Sequence, residues 1–241
     1  MCMLCRQKPN LVSRRSFGRL TLSAAALLLT SGVNAKEKQA PPKPENVLSP
    51  DAALKRLLKG NERYVEGVTR RHDFQREREV LVGGQNPFAA ILSCADSRIA
   101  PEYAFDSSRG DLFVCRVAGN FAADETVASM EYAVAVLNTP LILVLGHESC
   151  GAVDAAIKSI KDDKPLPGHL PSLVQAIAPA VKAVSSKDGD VLNNAIRQNV
   201  IDNVAKLKSA TPILSAALND KKIQVVGGIY RLTSGKVELV S

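Results

Sequence analysis

The sequence predicts an α/β fold: a central, mostly parallel β-sheet, with four parallel strands plus an antiparallel edge strand, flanked by helices. Two observations carry that expectation. Short apolar, partly β-branched runs bounded by turn residues fall at 88–93, 112–117, 141–146 and 224–230, as strands buried on both faces do. Helical periodicity occupies the intervals between several of them, and such alternation folds into a parallel sheet covered on both sides.

Each element has a local cause. Residues 1–35 carry Arg6, Lys8, Arg14, Arg15 and Arg19 and no acidic residue, followed by the apolar stretch 20–33 and the small residue Ala35. This pattern predicts a signal peptide cleaved near Ala35. Ser13-Arg14-Arg15-Ser16-Phe17 matches a twin-arginine export signal, so a periplasmic or otherwise exported protein is expected. Cys2 and Cys5 would leave with that segment and do not count as a redox pair. Residues 36–48, with Pro41, Pro42 and Pro44, read as a tether, which leaves 49–241 as the folded domain. Ser49-Pro50-Asp51 starts a helix expected to reach about Glu66: Ser as N-cap, Pro at the first position, Asp at the positive end. A charged helix follows over about 73–82. Val127, Met130, Val134 and Leu137 recur at helical spacing within 124–138. Beyond Cys150 the pattern gives a helix to about Lys161, a Pro-rich loop, and two or three further helices. Strand 224–230 and a hairpin partner over 236–240, turned by Ser234-Gly235, close the sheet.

Composition excludes several functions. The formal charge of +7 suggests a polyanionic partner, but removing 1–35 leaves only +2. With four Tyr, six Phe and no Trp, a base-stacking nucleic-acid platform is not expected. No apolar run reaches the roughly 18–20 residues of a membrane span, so stable membrane insertion is not expected.

The chemistry concentrates after two strands. Cys94-Ala95-Asp96-Ser97-Arg98 follows the first, and Gly146-His147-Glu148-Ser149-Cys150-Gly151 follows the third. Open α/β sheets bind ligands beyond the carboxyl ends of their strands. Two thiolates and an imidazole suit Zn²⁺ and leave its fourth position open. His147 and Cys150, three apart at a helix start, can face one ion. Burial as small hydrophobes, or a Cys94–Cys150 disulfide, is the bland alternative. Cys115 reads as core, His72 as a solvated surface residue and His169 as a loop residue, so His147 is the one strong histidine ligand.

These two motifs, with Arg116-Val117-Ala118-Gly119-Asn120 between them, resemble the β-class carbonic anhydrases over most of 49–240. The resemblance implies one Zn²⁺ per subunit held by Cys94, His147 and Cys150. It also implies an Asp96–Arg98 dyad that orients a zinc-bound hydroxide for attack on carbon dioxide, giving bicarbonate and a proton. Because two thiolates neutralise the dication, the metal should acidify water less than a three-imidazole site does, and the dyad gains importance. Gln85, Phe113, Tyr132 and Gly151 match substrate-pocket positions. In the family some of these come from a neighbouring subunit, so a homodimer or dimer of dimers is implied. Asp96 as a fourth ligand in a closed state is a further expectation.

One departure stands out: a regulatory bicarbonate pocket in some relatives contains a Trp where this chain has Ile91, although Arg116 and Tyr230 match its other members. Rival readings are a carbon disulfide or carbonyl sulfide hydrolase of the same fold, or an inactive exported zinc-binding protein. A zinc deaminase is disfavoured because its His-x-Glu and Pro-Cys-x-x-Cys pattern is absent.

Overall fold

A computed structural model describes residues 43–240. The signal-peptide reading of 1–35 and most of the expected tether lie outside the described residues.

The elements form where local chemistry places them. Helix α1 (Pro50–Val65) begins as expected, with Ser49 Oγ accepting from the Ala52 N–H and Pro50 in the first turn. Helix α2 (Phe74–Leu81) is capped by Asp73, whose carboxylate accepts from the Arg76 N–H. Strand β1 (Ala89–Ser93) leads to a single-turn helix α3 (Pro101–Ala104), too short to leave a periodic signal in the sequence. Strand β2 (Leu112–Arg116), helix α4 (Asp124–Ala135), strand β3 (Leu141–His147) and helix α5 (Gly151–Lys161) follow. Helix α4 stops three residues earlier than its apolar spacing suggests. Asn138 adopts φ +55° and Pro140 follows, so the chain turns into β3. The three late helices are α6 (Leu170–Val184), α7 (Val191–Ser209) and α8 (Ile213–Asn219), before β4 (Gln224–Tyr230) and β5 (Val237–Leu239).

The strands form one sheet in the order β2-β1-β3-β4-β5. The first four are parallel, and β5 pairs antiparallel with β4 at the edge. This is the architecture the sequence predicts. Alternation splits the core into two layers. Ala90, Leu92, Ile142 and Val144 face α4–α8, whereas Ala89, Ile91, Leu141, Leu143 and Leu145 face α1 and α3. Because β1 and β3 are adjacent and parallel, their carboxyl ends lie side by side, and 53 residues of separation vanish at Cys94 and His147.

The tether reading needs correction at its carboxyl end. From Lys43 onward the chain docks on the domain: Asn46 is buried, and its Nδ2 donates to Asn86 O at 2.6 Å and to Asp111 Oδ1 at 3.2 Å. Lys43 and Arg56 both pair with the same Asp111 carboxylate. Proline content hid this, because the anchoring groups lie about 65 residues away in the chain.

His72 also departs from expectation. Its ring stacks on Phe74 and sits between Glu77, at 3.3 Å, and Asp106, at 4.0 Å. The run of neighbouring charges suggested solvent exposure, but the ring packs against Phe74, Glu77 and the distant Asp106 instead.

Candidate metal centre

Cys94 leaves β1, His147 ends β3, and Cys150 is the N-cap residue of α5. All three are buried, and their ligand atoms lie within 4.8 Å of one another. The two sulfurs are 4.0 Å apart. Two sulfurs each about 2.3 Å from a tetrahedral ion would stand roughly 3.8 Å apart. A disulfide is excluded here, since both thiols are free.

The imidazole fits the same test. His147 Nδ1 lies 2.8 Å from the carbonyl of Glu148, which can only accept, so Nδ1 carries the proton. Nε2 therefore presents a lone pair, and this buried atom has no hydrogen-bond partner in the protein. An orphaned buried nitrogen beside two sulfurs is what a metal ligand looks like. Among the described residues no other cluster of this kind is found.

The sulfurs interact strongly. With Cys150 as donor, the hydrogen bond between them drops the Cys94 thiol to about 4, against the opposing effect of burial. The same contact, together with burial, pushes Cys150 well above the ordinary thiol range. One proton serves two sulfurs, and a bound dication would remove that conflict. The Gly119 N–H also donates to Cys94 Sγ at 3.3 Å.

Asp96 lies beside the cluster, its Oδ2 3.9 Å from His147 Nε2. Arg98 grips both carboxylate oxygens, Nε to Oδ1 at 2.9 Å and Nη2 to Oδ2 at 2.7 Å, and its backbone N–H adds a third bond to Oδ1. These Arg98 bonds hold the Asp96 carboxyl down at about 2. Arg98 Nη2 also donates to Ser149 O, tying the Cys94 loop to the His147-Cys150 loop. Arg116 clamps the first loop from below, donating to the carbonyls of Cys94, Asp96 and Ile99. That use of Arg116 was not legible from sequence, where it stands 22 residues from Cys94. The Tyr230 hydroxyl shares a 3.0 Å hydrogen bond with Tyr64. Both residues matched to the regulatory pocket thus have structural partners.

The expected substrate-pocket residues are more scattered. Gly151 opens α5 next to Cys150, and a Cβ there would meet nothing within 4 Å. Phe113 lies on the edge strand β2 with its ring 6.2 Å from that of Tyr132, which is exposed on α4. Gln85 precedes β1, whereas Cys94 follows it, and the strand spans roughly 15 Å. Asn86 and Phe88, bonded to Asn46 and to the Asp111 carbonyl, fix that stretch at the amino end of the sheet. Within one protomer, Gln85 is therefore remote from the metal cluster.

Comparison with known proteins agrees with this site. The carbonic anhydrase family profile matches residues 89–237. Carbonic anhydrase 2 of Mycobacterium tuberculosis strain H37Rv is 40% identical over 194 residues, covering 79% of this chain and 93% of that protein. The carbonic anhydrase of Mycolicibacterium smegmatis is 36% identical over 194 residues, covering 80% and 94% respectively. Among solved structures, the β-carbonic anhydrase CcaA aligns with a TM-score of 0.61 at 29% identity, covering 78% of this chain and 87% of that one.

A five-stranded mixed sheet flanked by helices, with a Cys-His-Cys cluster at its carboxyl end, defines the β class of carbon dioxide-hydrating enzymes. The chain belongs to the carbonic anhydrase family.

Proposed function

We propose that the chain hydrates carbon dioxide reversibly as a zinc enzyme, with Cys94, His147 and Cys150 as the protein ligands and Asp96–Arg98 as the dyad that orients the reacting water. The buried, partnerless Nε2 of His147 facing two sulfurs carries this reading. When bound, Zn²⁺ supplies Lewis acidity that lowers the pKa of water. Asp96 Oδ2 lies 3.9 Å from His147 Nε2, where it can accept from the reacting water, and Arg98 keeps that carboxylate ionised and aimed. Having both oxygens on Arg98 supports the open arrangement. A closed state with Asp96 as fourth ligand would require those bonds to break. Buried Ile99 and the open space above Gly151 suit a small uncharged substrate.

Gln85, Phe113 and Tyr132 would act from a second copy. Among the described residues strand β2 has a partner on one side only, and its Phe113 lies with Tyr132 at that edge, which supports a homodimer joined there. Solution mass at low concentration tests this, and a monomer with full activity would refute it. Export directed by residues 1–35 is likewise proposed, with fractionation of the full chain as its test.

The deciding experiment measures metal content and carbon dioxide hydration in the purified protein and in Cys150→Ser. Wild type should carry one zinc per chain, and the variant should lose zinc and activity together. Full hydration without metal would overturn the reading. Release of sulfide from carbonyl sulfide or carbon disulfide without hydration would instead favour the sulfide-hydrolase alternative.

A further inference from the structure

Building on that metal assignment, we propose that Asn199 in the middle of α7 is a positioning residue for the metal centre. It holds the Gly119 backbone so that the Gly119 N–H stays aimed at the Cys94 sulfur.

Asn199 and Asn203 are buried on a helix face otherwise made of Ala195, Ile196, Val200, Val204 and Leu207. Two amides in an apolar interface are costly unless every polar atom is satisfied. Here the bonds converge on the loop after β2. Asn199 Nδ2 donates to Gly119 O at 2.8 Å, and Asn203 Oδ1 accepts from the Ala122 N–H at 2.7 Å. Asn203 Nδ2 donates to Asn199 O at 2.7 Å and to Asn199 Oδ1 at 3.2 Å. The second of these contacts fixes the Asn199 amide orientation: its oxygen faces Asn203, so its nitrogen faces Gly119.

Gly119 is the residue on which the arrangement turns. Its φ is +86°, and an added Cβ would lie 2.5 Å from Ile177 Cδ1 of α6 and 3.4 Å from Ala152 Cβ of α5. Three helices therefore close on one glycine, which admits the approach of α6 because it lacks a side chain. Asn199 supplies the polar contact that fixes its carbonyl, and its N–H then reaches Cys94 Sγ. A donor at a ligand sulfur withdraws electron density from it and tunes the metal. A helix needed only for packing would have served with Leu at 199.

The test compares cobalt-substituted wild type with Asn199→Leu, which keeps the branched outline but lacks the donor, and with Asn199→Ala. Both variants should keep wild-type circular dichroism. Their thiolate-to-cobalt charge-transfer band should move to longer wavelength, and zinc transfer to a chelator should change about tenfold, the low end for an outer hydrogen-bond partner. In cadmium-113 wild type, the Gly119 amide proton should show scalar coupling to the metal across the Cys94 sulfur. An unchanged band and transfer rate in folded variants, or no such coupling in wild type, would overturn the proposal. Failure of both variants to fold would assign Asn199 to the scaffold and overturn it equally. Wild type that binds no cobalt through thiolate would instead sink the metal assignment itself.

Discussion

Replacing Asp96 with Asn separates catalysis from stability because the two costs differ widely in size. The side chain keeps its shape, and an oxygen kept at the Oδ1 position still accepts from the Arg98 Nε and backbone N–H, while the new NH₂ faces the Arg98 Nη2 donor. The pair is partly in water, with the Arg98 side chain 50% exposed, so it contributes to folding only as weakly as a solvent-screened surface ion pair does. The melting temperature should move by only a few degrees. The catalytic cost should be larger. The substituted amide would present a donor where the reacting water needs an acceptor, and losses on the order of 10²-fold in kcat/KM follow from both outer-shell orientation and general acid–base roles. A hundredfold is about 2.7 kcal/mol of transition-state stabilisation, well above the folding cost. Stopped-flow hydration, zinc content and thermal unfolding should be measured on one preparation. A variant with full zinc and kcat/KM within threefold of wild type would refute the dyad. Activity lost in proportion to zinc would show that Asp96 acts on metal retention instead.

Two further perturbations test the scaffold. Asp106 is buried and adopts φ +40°; burial alone would raise its pKa, but bonds from Arg63, Thr69 and the Arg70 N–H outweigh it and lower it. A depressed carboxyl contributes stability above its ordinary pKa near 4 and loses it as pH falls through the lower folded value. Asp106→Asn, which tolerates the backbone, should cost about 1–3 kcal/mol at neutral pH and flatten the fall in stability below pH 4, read by denaturant titration at several pH values. An unchanged acid limb would count against the assignment. Gly60→Ala gains about 1 kcal/mol of helix propensity in α1, but the new Cβ would lie 2.0 Å from the Phe105 carbonyl oxygen. Backbone cannot give way as a side-chain tip can, so overpacking of about 1–3 kcal/mol should prevail and the variant should unfold at lower denaturant. A stabilised variant would contradict the close approach of α1 to that turn.

What was legible in the sequence was local. The parallel strands announced themselves because a strand covered on both faces must be apolar throughout, and β1 and β3 are buried along their whole length. The Cys-His-Cys cluster was legible because His147 and Cys150 are three residues apart and Cys94 follows a strand, where open sheets place their ligands. The caps at Ser49 and Asp73 are likewise written in neighbouring residues. Single-turn α3 escaped notice because four residues hold too little periodicity to register.

Tertiary structure alone decided what depends on distant partners. Arg116 reads as a motif residue matched to a regulatory pocket until its three carbonyl acceptors come into place, and Asn199 reads as an ordinary helix residue until α7 meets Gly119. His72 and residues 43–48 looked solvated, yet each packs against groups far along the chain. Gln85 matched a pocket position by its distance from Cys94, but β1 carries the two to opposite ends of the sheet. Spacing along a chain determines which residues can share an element. Which elements meet is decided by burial, and the long-range hydrogen bonds around the metal centre exist only once the sheet and its helices have closed on one another.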